Sequence, residues 1–528
     1  MTTKPKWFQT TAIDYPNSRP HIGTAFEKLG ADVQARYRRM EGYDVFFLMG
    51  NDENTLKVAD RAKELCQEPQ AYCDEMARQF REVWDALDIS YDTFIQTSHE
   101  RHKACCRKFI QKVYDNGHIY KGLYKGWFCP GCEEFKSNKV HAENAGLCPN
   151  HKRPLVWREE PCWFFKLSAF QDRLLALLKE NPNFVQPESR RNEMIGFIEA
   201  EGLQDLNISR HGEEWGIRLP FDPDFTIYVW FDALLTYVTG IGYGDDEALF
   251  RKNWPADVHF IGKDITRFHT HIWPAMLWAA GEEVPKQVFS HGFVYFQGDK
   301  ISKSRLEELK KKGLDYLLEP MEIIKKFSAE AFRYYFLREC PYPSDGQIDP
   351  DQFIKVFNND LANTLGNLRS RTLTIPFKSL GGMLPGTAGR TPEAVAGEFD
   401  AAKLVAEVRA RVEACEYSQA LQALMTQLLY PVNKYIGDKE PWKVVKDDPA
   451  AASLILHNVV EALRIASILL KPFIPRSAEA IYKSFNFSTP WEQVRYADAA
   501  ELKAQPDDLR VTAELVDGKP TPLFPRIA

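Results

Sequence analysis

Two short stretches of this chain carry residue types suited to handling a polyphosphate. Pro20-His21-Ile22-Gly23-Thr24 falls where a β-rich run gives way to a helical pattern. A helix N-terminus presents free N–H groups and the positive end of a dipole, which suits a triphosphate. Gly23 lets a ligand approach the backbone closely, and His21 offers a donor to phosphate. Lys300-Ile301-Ser302-Lys303-Ser304 follows Gly298 and sets two lysines among hydroxyls, a combination able to neutralise a departing pyrophosphate. From Lys300 to Lys312 there are six basic residues against two acidic ones, so the positive charge is local. Each stretch alone also has a plain reading: a helix cap with an incidental histidine, and a solvated lysine-rich loop.

A third group is Cys129-x-x-Cys132 with Cys148-x-x-His151, two short-spaced pairs separated by fifteen residues. Pro130-Gly131 and Pro149-Asn150 supply tight turns, so both ligands of a pair can face one ion. Four ligands close a tetrahedral shell, which fits one structural Zn2+ ion better than a catalytic one. The alternative is free thiols in a loop-rich insertion. The other seven of the ten cysteines, including adjacent Cys105 and Cys106, read as core or helix-surface thiols.

These groups need elements to position them. Residues 7–15 are β-rich and end in a loop marked by Pro16, Asn17 and Pro20. Leu29, Val33 and Tyr37 then repeat at helical spacing, with Gly42 in the C-cap position, before the apolar strand-like run 44–50. This is a βαβ opening, the usual start of a doubly wound nucleotide-binding sheet. The sheet pattern pauses near residue 115, and further strands are expected at 226–234, 258–263 and 287–296. From about 351 the pattern turns helical. Leu404, Val408 and Val412 form one stripe, Leu421, Leu424, Met425 and Leu428 a second, and Leu456, Val459, Val460, Leu463 and Ile468 a third. A helix bundle follows from these stripes. Residues 379–397 read as a Gly/Pro/Thr-rich loop, and the closing stretch as an extended Pro-rich tail.

At 528 residues the chain exceeds one hydrophobic core, and 44% hydrophobic with 27% charged residues is an ordinary globular balance. No uninterrupted apolar run approaches the roughly 18 residues of a membrane helix. The N-terminus lacks a signal-peptide core, so a cytoplasmic location and no membrane partner are expected. The net charge of −6 argues against a protein coated by nucleic acid, but a local basic patch remains compatible with it.

The two phosphate motifs together, at the first strand–helix junction and after the last strands, resemble the paired signatures of class I aminoacyl-tRNA synthetases. The surrounding segments resemble the methionyl-tRNA synthetase family. They include AIDYPNSRPHIG, GYDVFFLMGNDE, WFFKLSAFQDRLL, YVWFDALLTYVTG, IGKDITRFHTHIWPA, NNDLANTLGNLRSRTL, NKYIGDKEPW and PLFPRI, running from about residue 10 to the end. The resemblance implies an α/β fold with a C-terminal α-helical anticodon-binding bundle over 351–510. Residues 1–115 and 226–296 would form the halves of a Rossmann-like catalytic domain, and 116–225 a connective insertion with the zinc knuckle. Residues 297–350 would link to the bundle and carry the lysine motif, and 511–528 would form the tail. It also implies methionine–tRNA ligase activity, with methionine, ATP accompanied by Mg2+, and tRNA(Met) as partners. His21, Gly23, Thr24, Lys300, Ser302 and Lys303 match ATP-binding positions, with His21, Lys300 and Lys303 catalytic. Ile13, Tyr15, Trp230, Tyr237 and His269 match the methionine slot, Asp52 the acid that holds its ammonium, and Leu234 and Ile272 would complete the wall. Asn367 and Arg371, one helical turn apart, and Trp442 match anticodon-reading positions. Each of these also reads plainly, as core aromatics or a helix-surface pair. The chain stops where some relatives add a dimerising module, which implies a monomer.

The chain departs from the family pattern in three motifs. Thr24 stands where a second histidine is usual; threonine can donate one hydrogen bond but carries no charge. Asn54, in Asn51-Asp52-Glu53-Asn54-Thr55, replaces a histidine of the common T-D-E-H-G. Ile301 replaces methionine in the lysine motif, and Arg305 follows where leucine is common. The departures leave open two other outcomes: a paralogue activating a different amino acid, and a tRNA-binding protein with weakened catalysis.

Overall fold

The computed structural model describes residues 4–129, 134–136, 138–149, 152–212, 215–296, 319–386, 400–503, 508–516 and 519–527. Six strands form a wholly parallel sheet: β1 (Lys6–Thr11), β2 (Asp44–Asn51), β3 (Thr93–Gln96), β4 (Val185–Gln186), β5 (Val258–Gly262) and β6 (Val288–His291). Their order is β3-β2-β1-β5-β6-β4. The order reverses between β1 and β5, where Thr10 pairs with His259 on one side and Leu48 on the other. Beyond the carboxyl ends of two such strands the flanking loops part and leave a crevice for a ligand.

Helix α1 (Ile22–Met40) makes the crossover from β1 to β2. Its Leu29, Val33 and Tyr37 stripe is fully buried, as the spacing predicts. Gly42 ends it with φ +89, a left-handed conformation that costs glycine little. The insertion is built on a long antiparallel pair, Ile119–Cys129 against Val156–Phe165. The second half of 116–225 also returns β4 to the edge of the parallel sheet, beside β6.

Two expected strands differ. The run 226–234 is not a strand of the main sheet. Asp222–Ile227 pairs antiparallel with Ser209–His211, and Val229–Ala233 is a short helix. A buried apolar run fits strand or helix equally, so periodicity could not separate them. The run 287–296 is broken at Gly292, where a Cβ would lie 2.1 Å from the backbone of Ser344. Beyond that close crossing, Val294–Phe296 pairs with Gly346–Ile348 instead.

The C-terminal half is helical: α2 (Ala329–Glu339), α3 (Asn367–Ser379), α4 (Ala401–Glu413), α5 (Tyr417–Leu424), α6 (Tyr430–Lys439) and α7 (Pro449–Leu470). All three apolar stripes read from the sequence are buried. By length and composition α7, at 22 residues, could cross a membrane, which the sequence reading did not anticipate; 89% of its most apolar window is buried in the bundle. The bundle grips α1. The Tyr417 hydroxyl donates to Gly30 O at 2.7 Å, and the Tyr37 hydroxyl to Glu413 at 2.6 Å. Arg333 of α2, fully buried, meets Asp32 at 2.6 Å. The tail is extended and also pinned, with Asn358 and Ile527 exchanging hydrogen bonds of 2.9 and 3.0 Å.

Candidate active site

A cavity of about 480 Å³ opens at the switch point. Ala12 to Tyr15 after β1, Gly262, Asp264 and Ile265 at the end of β5, and His291 to Val294 at the end of β6 form its walls, with Trp230 and the start of α1. The loop after β1 is tied to both neighbours: Ala12 N–H donates to Phe260 O at 3.0 Å and Asp52 N–H to Asp14 O at 2.9 Å. Three buried charged side chains underlie this wall. Lys28 Nζ donates to Glu27 at 2.8 Å and pairs with Asp14 at 2.9 Å, and His291 Nε2 lies 2.9 Å from the other Glu27 oxygen. Burial opposes ionisation of Glu27, but Lys28 and His291 outweigh it and hold the carboxyl below its usual range.

The residues expected for an amino-acid slot divide into a lining and a backing. Ile13, Tyr15 and Trp230 line the cavity. Trp230 stacks on Phe268 at 3.8 Å between centroids, and Tyr15 meets it edge-on at 6.4 Å. Behind them Tyr237 and His269 are buried and joined, hydroxyl to Nε2, at 2.7 Å. His269 Nδ1 donates to Ile265 O at 3.1 Å, so Nε2 is the acceptor for the tyrosine. Burial pushes His269 down to about 4, which keeps it neutral. Leu234 and Ile272 lie in the core behind this pair.

Asp52 is buried just beyond the end of β2, beside the Tyr15 hydroxyl. Around it sit Asn51, Glu53, Asn54 and Asp232, all buried. The Asn54 side-chain amide donates to Thr97 O at 2.9 Å and to Asp232 at 3.2 Å. Oδ1 of Asp52 and Oδ1 of Asp232 have no hydrogen-bond partner among the described residues. Buried orphan oxygens of this kind mark a place completed by something else.

At the other end, His21 caps α1 rather than standing free beside it. Its Nδ1 accepts from Gly23 N–H at 3.0 Å and Thr24 N–H at 3.3 Å. Thr24 closes the box: its hydroxyl accepts from His21 N–H at 3.1 Å and donates to His21 O at 2.7 Å. The Thr24 proton is thus spent on the helix cap in this conformation. Arg19, held by Gln79 at 3.0 Å, is the one residue of fixed positive charge among the described residues lining the cavity. Lys300, Ile301, Ser302, Lys303 and Arg305 lie outside the described residues, but Val294–Phe296 leads from the cavity rim toward them.

In the insertion, Cys129 and Cys148 are buried in one small cluster with Leu155. Leu147 bridges Pro154, and Cys148 N–H donates to Arg153 O at 2.8 Å. Cys132 and His151 lie outside the described residues.

In the bundle, Asn367 is exposed at the start of α3. Arg371 is half-buried one turn on and donates to Asn433 of α6 at 2.9 Å; burial pushes its guanidinium below the usual range. Trp442 follows Glu440, which turns the chain with φ 42 between α6 and the short helix Pro441–Val444. The indole is partly buried against the bundle core.

Comparison with known proteins decides the family. A model described as class I tRNA synthetases (M) matches residues 7–155 and 150–373, and one for the anticodon-binding domain of methionyl tRNA ligase matches 385–515. The chain belongs to the methionyl class I tRNA synthetase family. Methionine–tRNA ligase of Caldanaerobacter subterraneus is 40% identical, aligned over 93% of this chain and 76% of its own. That of Synechocystis is 40% identical over 93% and 91%. Mycobacterium tuberculosis methionyl-tRNA synthetase, solved with methionyl-adenylate, superposes with a TM-score of 0.86 at 36% identity, covering 99% of this chain and 100% of its own.

Within this synthetase site, the sequence reading overlooked Asp232, Glu27, Lys28, His291 and, in the bundle, Asn433. An acid at 232 inside an otherwise apolar run was a usable signal. Glu27 and Lys28, on the helix face toward the cavity, were another.

Proposed function

We propose that this chain activates methionine with ATP, forming methionyl-adenylate and pyrophosphate, and passes the methionyl group to tRNA(Met). The single observation that carries the reading is the switch-point cavity, with a neutral Tyr237–His269 pair behind an aromatic wall and an uncompensated acid at Asp52. A thioether is apolar and polarizable and needs a slot free of charge, whereas an ammonium group needs an acid. Ile13, Tyr15 and Trp230 would enclose the side chain, Tyr237 and His269 would close its far end, and Asp52 would take the ammonium.

The methionine carboxylate attacks the α-phosphate, and pyrophosphate leaves. The terminal ribose hydroxyl of the tRNA then attacks the activated carbonyl, and AMP leaves. His21, Lys300 and Lys303 would stabilise charge at the phosphates, Gly23 and Ser302 would admit and contact them, and Mg2+ would arrive with ATP. Thr24 would act through the cap that aims His21 and the first N–H groups of α1. Because its hydroxyl is committed there, a tRNA-binding protein with weakened adenylation is the second reading.

Two thiols buried in one small cluster suit a metal shell, so Cys129, Cys132, Cys148 and His151 would hold one structural Zn2+. Asn367, Arg371 and Trp442 would read the anticodon, the first two by base edges and the third by stacking. The protein would act as a cytoplasmic monomer. The test is charging of tRNA(Met) transcripts with methionine by the zinc-replete protein, with an anticodon-swapped transcript alongside. Charging of the first and loss with the second is expected. Tight binding without charging would favour the second reading.

A further inference from the structure

Asp232 enters from the short helix Val229–Ala233 and is fully buried. One of its oxygens accepts from Asn54 at 3.2 Å; the other has no hydrogen-bond partner among the described residues. Asp52 stands nearby, with an orphan oxygen of its own, and its charge acts on Asp232. The groups facing this pair bring no compensating cation. The Tyr15 hydroxyl lies beside Asp52, and Tyr228 adjoins Tyr15. Glu53 adds a third acid, partly satisfied by Ser98. On the far side of Asp232, His102 and Cys106 come from the helix Glu100–Asp115; burial pushes His102 down to about 3 and the thiol up, so both are neutral. Neither Asp52 nor Asp232 makes an ion pair with a described side chain. Asn54 is a neutral amide where the family commonly has histidine, which could have carried charge.

Two buried carboxyls that feel each other's charge, with no cation paired to either, cannot both ionise. We propose that Asp52 and Asp232 share a proton in the empty site, and that the ammonium of methionine displaces it, making Asp232 a positioning residue for substrate capture. The proposal rests on the reading that Asp52 receives the ammonium. The ammonium enters protonated, the shared proton leaves to solvent, and both carboxylates then face one cation. Burial holds both carboxyls well above the usual carboxylate range. The sign follows: methionine binding requires loss of that proton, so it strengthens as pH rises and weakens as pH falls, by about tenfold per unit.

The experiment is calorimetric titration of methionine into the full-length protein, without ATP, at one pH in two buffers of different ionisation heat. Release of about one proton is expected for the wild type and a clearly smaller fraction for Asp232→Asn, whose Asp52 stays buried but loses the neighbouring acid, so its pH profile is flatter. A residue that merely shaped the pocket would change affinity without changing the proton count. Buffer-independent heats in the wild type, or equal release by wild type and Asp232→Asn, would overturn the proposal. Should Asp232→Asn fail to fold, the 2-hydroxy analogue of methionine replaces it: lacking the ammonium, it is expected to release no proton, and equal release would overturn the idea. No methionine binding at all by the folded wild type would sink the functional reading as well.

Discussion

The two ends of the switch-point cavity are built differently. Where the methionine slot is expected, Tyr237 bonds His269 and His269 bonds the Ile265 carbonyl. This backing pair is buried, behind a lining of Ile13, Tyr15 and Trp230. At the phosphate end, the polar groups of His21 and Thr24 are turned inward on the helix cap. Fixed positive charge there comes from exposed Arg19 and, by expectation, from the lysine motif. Selection of the amino acid is expected to rest on the bonded Tyr237–His269 pair, and catalysis at the phosphates on the segment that carries the lysine motif.

If so, the largest effect belongs to that segment. Lys303→Ala is expected to lower methionine-dependent pyrophosphate exchange by about 100-fold or more, with methionine binding unchanged. Equal losses in both would erase the contrast between the two ends. At the amino-acid end, Tyr237→Phe removes one buried hydrogen bond and leaves His269 Nε2 without its donor. A loss of about tenfold in kcat/KM for methionine is expected, with the KM for ATP unchanged. A matching change in the KM for ATP would show that the two ends are not independent. The smallest catalytic effect is expected of Thr24→Ala. It should cost about 1 kcal/mol of stability by breaking the cap, read as a lowered Tm, while exchange stays within about threefold. A loss beyond tenfold would return Thr24 to the catalytic machinery.

What the sequence made legible was periodic or local. The α1 stripe, the apolar faces of α4, α5 and α7, and the turn carrying His21 each declared themselves within one element. The slot residues Tyr237 and His269 came through resemblance, because nothing in their own spacing separates them from core aromatics. Groups that bond across the chain stayed hidden. Glu27 and His291 meet over 264 positions, and Asn54 reaches Asp232 over 178. Only the sheet order brings such pairs together. The misread run 226–234 shows the same limit: apolar content announced burial, but the turn at Tyr228 decided strand then helix. The Pro-rich tail looked passive, yet Asn358 and the partly buried strap around Phe524 hold it to the bundle.

The central claim is that the cavity selects methionine and joins it to AMP. Pyrophosphate exchange by the purified protein, run with each of the standard amino acids in turn, tests it most directly. Exchange that saturates with methionine and stays at background with leucine and isoleucine is expected. Saturating exchange with another amino acid, or none with any, would contradict it.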